Sequence, residues 1–226
     1  MDKKIEKLIA ENEDKLNDWV DSINKHTNLL GPFQDFPTEE AVGITMNAVQ
    51  VLAGLADISI SYGNFKEQFE HKEFRPTFIG PELIVNAEKT GTTYLLGMDS
   101  EGIYLNTYLK WAENLPYMDD KFWHALMGLQ DFRGFELLQS EEVGPQIKAK
   151  YPRQFASSKS MLFRFFRKYF MDITQYDDLG SIGDLQVKWS FDHSIEEIIA
   201  ELAAVFKVLY QLNYSLWKVG DLRAKK

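Results

Sequence analysis

The first part of the chain repeats apolar residues at the spacing of a helix. Between Asp2 and about Leu30 they recur three, four and seven positions apart. They are Ile5, Leu8, Ile9, Leu16, Trp19, Val20 and Ile23. Lysine and glutamate occupy the other positions, as on a solvated helix face. The pattern predicts one amphipathic helix, which ends before the glycine and two prolines of "GPFQDFP".

A second helix is predicted after this break. Thr38 is a candidate N-cap, and Glu39 and Glu40 would lie in the first turn, where the helix dipole favours carboxylates. The following stretch, "AVGITMNAVQVLAGLADISI", is apolar on almost every side, which is typical of a buried helix. The next residues, "FKEQFEHKEF", are predicted to continue the helix or to form a loop.

The pattern then changes to short β-branched and aromatic runs between turn signals. The runs are Leu83–Ala87, Thr92–Leu96 and Ile103–Leu109, and "EKTG" and "MDSEG" separate them. Gly91 and Gly102 can supply the backbone conformations that such turns need. These features predict an antiparallel meander of at least three strands.

The last part of the chain returns to helical spacing. Asp119 or Asp120 is predicted to cap a helix, and Leu185 begins a run that alternates up to Phe191, as in a half-buried strand. Ser194 and Glu197 fit a capping box, and a long apolar helical pattern follows them.

This order of elements predicts an α+β fold, with a small antiparallel meander packed against several helices and a long C-terminal helix. We predict a single domain over residues 1–226. Its parts are a helical segment at 1–72, the meander at about 77–110, and helices with one further strand at 118–220.

Composition narrows the class of protein. The 226 residues include no cysteine, so disulfides and thiolate chemistry are excluded. The N-terminus lacks the apolar core of a secretory signal, and no uncharged apolar run is long enough to cross a bilayer. We therefore expect a cytoplasmic protein without membrane association, and we expect no cofactor.

The charge is unevenly distributed. The net charge is −9, yet residues 143–171 contain seven basic residues and no acid. The seven are Lys148, Lys150, Arg153, Lys159, Arg164, Arg167 and Lys168. Such asymmetry favours an anionic partner, either nucleic acid or an acidic protein. Alternatively, these side chains pair with the chain's own acidic N-terminal half.

The segment "SKSMLFRFFRKYF" lies at the end of this basic stretch. On a helix, one arc holds Ser160, Arg164, Arg167, Lys168 and Met171. The aromatic rings, together with Met161 and Leu162, fill the remaining, wider arc. The rings are therefore predicted to lie in the core, which excludes them as an exposed platform for single-stranded nucleic acid. The basic edge remains available for phosphate contacts without sequence readout.

Several acid and histidine pairs are candidate metal or catalytic groups. Glu67 and His71 would share one face of a helix, and Asp192 precedes His193 at a predicted strand end. Acids also cluster at Asp119 and Asp120 and in the loop containing Asp177, Asp178 and Asp184. Solvated faces and helix caps explain these patterns better, so no metal site and no catalytic residue is assigned. The common nucleotide-binding, zinc-protease, hydrolase and EF-hand motifs are absent from the sequence.

Three functions remain open from the sequence. The first is a non-enzymatic binding protein that engages an anionic partner through the seven basic residues. The second is a protein–protein interaction or inhibitor protein, of an immunity type, that acts through the acidic N-terminal surface. The third is a metal-dependent phosphodiesterase or nuclease, which would need the scattered acids to converge.

Overall fold

A computed structural model of the chain describes residues 2–29, 38–77, 79–141, 143–150, 159–175 and 182–225. The α-helices are α1 (Lys3–Glu11), α2 (Glu13–Leu16), α3 (Trp19–Leu29), α4 (Thr38–Gly63), α5 (Asp120–Gly128), α6 (Pro145–Lys150), α7 (Lys159–Ile173) and α8 (Ile195–Ala224). The strands are β1 (Phe69–Pro76), β2 (Pro81–Ala87), β3 (Thr93–Met98), β4 (Gly102–Tyr108), β5 (Phe135–Leu138) and β6 (Asp184–Ser190). Two 3₁₀ helices cover Ala112–Tyr117 and Leu129–Asp131.

The strands form a six-stranded antiparallel sheet in the order β1-β2-β3-β4-β6-β5. This arrangement, with its helices and long C-terminal α8, confirms the predicted α+β class. The chain forms two compact units, Met1–Asn106 with Lys188–Lys207 and Thr107–Val187 with Val208–Lys226. The single domain expected over residues 1–226 stays a prediction.

The core of the first unit is built around α4, which packs against α1, α2, α3 and the first strands. Leu52, Leu55 and Ile58 are fully buried, as the apolar pattern of this helix predicted. By length and composition alone, α4 would also suffice to span a membrane, a property that core helices of soluble proteins share. The sequence prediction considered only uncharged runs, and Asp57 ends the uncharged run in this segment. Helix α4 is longer than that run because it continues through Asp57.

Aromatic rings fill the other side of this core. Phe206 of α8 lies with its ring centroid 4.8 Å from Tyr94 and 5.5 Å from Phe69. Phe65 contacts both phenylalanines edge-on, at 5.0 Å from Phe69 and 5.3 Å from Phe206. Such tilted and edge-on pairs add to the free energy of burying the rings.

The predicted first helix is wrong in its continuity, because the segment is three helices. Asn12 separates α1 from α2. Asp18 adopts a left-handed backbone with φ of 53°, which precedes α3. Asp and Asn tolerate this conformation better than most residues do, so they can break a helix whose apolar spacing continues on either side. The apolar face persists, with Ile5, Leu16 and Ile23 buried.

The prediction of a helix or loop for residues 65–74 is wrong from Phe69 onwards, because Phe69–Pro76 form strand β1. It pairs with β2, and its register shifts between Glu70 and Glu73. Six of its eight residues are exposed, so no period-two alternation marks it in the sequence. A bulged, charged strand at the edge of a sheet resists pairing with other chains.

A row of polar side chains crosses the first four strands. Arg75 is paired with Glu82, and Glu82 with Gly97, across adjacent strands. The ring of Tyr104 lies over Gly97, where an added Cβ would approach it to 2.4 Å. The Tyr104 hydroxyl donates to Glu82 Oε1 at 2.7 Å, and Arg75 donates to the other carboxylate oxygen. Burial and the adjacent carboxylate raise the pKa of Tyr104, so its hydroxyl stays a donor.

In the second unit, α5 packs against α7. Trp123 of α5 and Phe170 of α7 are fully buried, with ring centroids 6.5 Å apart. Strand β5 pairs with β6, where Phe135 lies opposite Val187. The sequence predicted β6 but not the four-residue β5.

Two of the predicted helix caps are confirmed. The Asp119 side chain accepts a hydrogen bond from the Phe122 amide at 3.0 Å. Ser194 and Glu197 form the reciprocal bonds of a capping box, at 3.1 and 3.2 Å. Thr38 is the first residue of α4, and the residue before it lies outside the described ranges.

Candidate functional site

Two of the predicted basic residues meet where α6 and α7 approach each other. Lys150 Nζ lies 2.6 Å from Asp172 Oδ2, and Lys168 Nζ lies 3.5 Å from Asp172 Oδ1. Asp172 therefore holds a lysine from each helix, although its own side chain is only 18% exposed. Both lysines remain at least half exposed, at 50% and 62%. The convergence that the sequence alone could not show exists for these two residues.

Arg164 and Arg167 extend this set along α7. Both side chains are exposed, as is that of Lys168, which agrees with the arc calculated from the sequence. The Arg167 guanidinium lies over the Trp123 ring at 5.9 Å, in a cation–π geometry. We call Lys150, Arg164, Arg167 and Lys168 the basic surface. With Asp172 included, four basic groups and one acid leave three net positive charges.

The remaining predicted basic residues are not part of this description. Lys148 lies in α6 and Lys159 begins α7, and the structure gives only their backbone. Arg153 lies outside the described residues. Their membership in the surface stays a prediction.

The aromatic residues of α7 lie mainly inside, as predicted. Phe166, Tyr169 and Phe170 are buried, with at most 3% of each residue exposed. Burial raises the pKa of Tyr169 to about 12, so the hydroxyl is protonated at neutral pH. Phe163 is only half-buried, and the exposed ring of His124 stacks on it with centroids 5.7 Å apart and planes at 19°. The sequence analysis missed this pair because His124 belongs to α5.

The predicted alternative partner for the basic residues was the acidic N-terminal half. In the described residues, Lys150 and Lys168 each pair with Asp172, which directly follows the acid-free segment. On the N-terminal side, Lys7 pairs with Glu11 and Lys25 with Asp21, so the acids there are partly neutralised locally. Exposed ion pairs of this kind contribute little to stability.

A second polar cluster joins α2, α4 and β1. The Asp57 carboxylate accepts from His71 Nε2 at 2.8 Å and from the Lys15 ammonium. The hydrogen bond to Asp57 raises the pKa of His71, in spite of partial burial. Burial opposes ionisation of Asp57, but His71 and Lys15 together hold the pKa of its carboxyl below the ordinary value. The cluster therefore favours a charged pair, which ties the edge strand to α4.

The interaction between His71 and Asp57 should have a coupling free energy that depends on pH. The pKa of His71 is raised on folding, so its contribution is complete below about pH 6.5 and is lost as the pH rises through the folded value. The pKa of Asp57 is lowered, so its contribution is lost only at acidic pH. A double-mutant cycle with His71→Gln and Asp57→Asn, followed by urea unfolding, should give about 1 kcal/mol at mildly acidic pH. It should give less at alkaline pH, and equal values at both would contradict the assignment.

The candidate metal or catalytic pairs make hydrogen bonds in the structure. Glu67 and His71 share no helix face, because His71 lies in β1 and Glu67 lies in the bend before it. Glu67 Oε2 accepts hydrogen bonds from the Lys89 and Thr90 amides at 2.8 and 3.0 Å. His193 Nδ1 contacts the Ser190 carbonyl oxygen at 3.1 Å, and Asp192 accepts from the Ser190 hydroxyl.

The remaining acids provide no converged site in the described ranges. Asp184 begins β6, whereas Asp177 and Asp178 fall outside the described residues. Over the part of the chain that the structure describes, no group of three His, Asp or Glu side chains is placed to hold a metal ion.

Comparison with known proteins gives no relative from which a function could be transferred. No protein-family model, no curated protein and no solved structure matches this chain. The physical arrangement of the basic surface is therefore the basis for a functional proposal.

Proposed function

We propose that this protein is a non-enzymatic binding protein that engages an anionic partner, nucleic acid or an acidic protein, through its basic surface. The observation that supports this most is the position of Asp172, which brings Lys150 of α6 next to Lys168 of α7. Two separate parts of the basic sequence thereby contribute to one exposed region. Arg164 and Arg167 continue it along α7.

The chemistry of the surface suits phosphate or carboxylate groups. Arginine presents a planar fork of donors that can bind such groups in a bidentate manner, and lysine provides a mobile point charge. Phosphate contacts supply affinity without sequence specificity. A chain with a net charge of −9 would otherwise repel a polyanion, so a local positive surface is the place where one can bind.

The direct test is binding of labelled DNA and RNA, measured by fluorescence anisotropy or gel shift at low salt. Strands about 20 nucleotides long exceed the ~4–16 nucleotides that a small single-strand site typically covers. We expect binding at about 50 mM salt that weakens steeply towards 200 mM. Labelled polyglutamate, tested in parallel, distinguishes an acidic-protein partner from nucleic acid. Failure of every polyanion to bind at low salt would contradict the proposal.

A further inference from the structure

The exposed ring of His124 lies beside the basic surface in the second unit. It stacks on Phe163 with centroids 5.7 Å apart and an angle of 19° between the planes. Phe163 is half-buried while His124 is exposed, so the histidine is the outer member of the pair. Phe163 supports one face of the imidazole. The other face is on the solvent side, where a further flat group can stack.

The charged groups around this ring come from both helices. Arg164 follows Phe163 directly, and Arg167 lies one helical turn further along α7. Arg167 also lies over Trp123, the neighbour of His124 in α5. On α5, exposed Lys121 and Asp120 lie one turn before His124 and offset each other in charge. The ring therefore has two guanidinium groups nearby, which is the combination that single-strand binding surfaces use.

We infer that the basic surface takes single-stranded nucleic acid, with one base stacked on the outer face of His124 and flanking phosphates on Arg164 and Arg167. This inference rests on the proposed function and names its partner class. In a duplex, both faces of each base are covered by neighbouring bases, so His124 has nothing to stack on. An acidic protein would engage the arginines but gain little from the ring.

Two substitutions separate stacking from charge. His124→Ala removes the ring, and we expect about a tenfold loss of affinity for a labelled single strand, within the range of base–aromatic stacking. His124→Phe keeps a flat ring without a titrating group, and we expect affinity close to that of the unaltered protein. His124 is exposed on α5, so neither substitution disturbs the core.

A strand of the same length that lacks its bases provides the matched probe. It retains every phosphate, so His124→Ala should leave its affinity unchanged, and the same should hold for a duplex. The inference is overturned if His124→Ala weakens the abasic strand as much as the normal strand, or if His124→Phe is as weak as His124→Ala. It is also overturned if the duplex binds as tightly as the single strand. In each case, salt-dependent binding that requires Arg164 and Arg167 would leave the proposed function standing.

Discussion

Replacing Gly102 with alanine is expected to lower the free energy of unfolding by about 3 kcal/mol, at the upper end of the cost of overpacking. Gly102 begins β4, and a Cβ there would lie 2.0 Å from the Trp189 carbonyl oxygen. That oxygen belongs to the backbone of β6, so no side-chain rotation can relieve the contact. Trp189 is itself fixed, since its buried indole donates to Glu201 of α8 at 2.8 Å.

Gly43 offers the matched control for this substitution. It is exposed within α4, and an added Cβ would meet nothing within 4 Å. Gly43→Ala should therefore raise the free energy of unfolding by up to about 1 kcal/mol, through the higher helix propensity of alanine. Urea unfolding monitored by circular dichroism measures both changes. A Gly102→Ala protein as stable as the unaltered chain would contradict the close approach of β4 to Trp189.

The elements that the sequence predicted are those whose own residues carry the pattern. Strand β6 alternates between buried Leu185, Val187 and Trp189 and their half-exposed neighbours, so its period of two was visible. Edge strand β1 buries almost nothing, so the same signal was absent. The helix break at Asp18 depends on one backbone conformation, which apolar spacing does not record.

The candidate site likewise has some features that a local sequence pattern predicts and others that it does not. Segregation of rings and basic groups on α7 follows from helix geometry, and the burial of Phe166 and Phe170 confirms it. The bond between Asp172 and Lys150 and the stacking of His124 on Phe163 join different helices. Such contacts depend on how the helices pack, so no local pattern could have predicted them.

Charge reversal on α7 is expected to have the largest effect on function. Arg164→Glu with Arg167→Glu should weaken polyanion binding on the order of 100-fold at about 50 mM salt. Each lost phosphate contact also removes the favourable free energy of counterion release. Both side chains are exposed, and the pair lies on the polar face of α7, so the fold should be retained. Lysine replacements at the same positions should keep most of the affinity, since the charge remains.

A second double reversal controls for the net charge of the chain. Lys3 and Lys7 are exposed one turn apart on α1, away in sequence from the basic surface. Lys3→Glu with Lys7→Glu changes the net charge by the same amount as the α7 variant. If long-range repulsion alone governed binding, both variants would weaken it equally. A local site predicts that only the α7 variant does so.

The salt dependence of binding by these proteins tests the central claim most directly. For a single strand, four basic contacts predict a plot of log affinity against log salt with a slope of about −3. The account predicts that this slope persists in the α1 control and falls in magnitude to about 1.5 in the Arg164→Glu, Arg167→Glu protein. Equal slopes and affinities in the α7 variant and the unaltered protein would contradict a binding site on the basic surface.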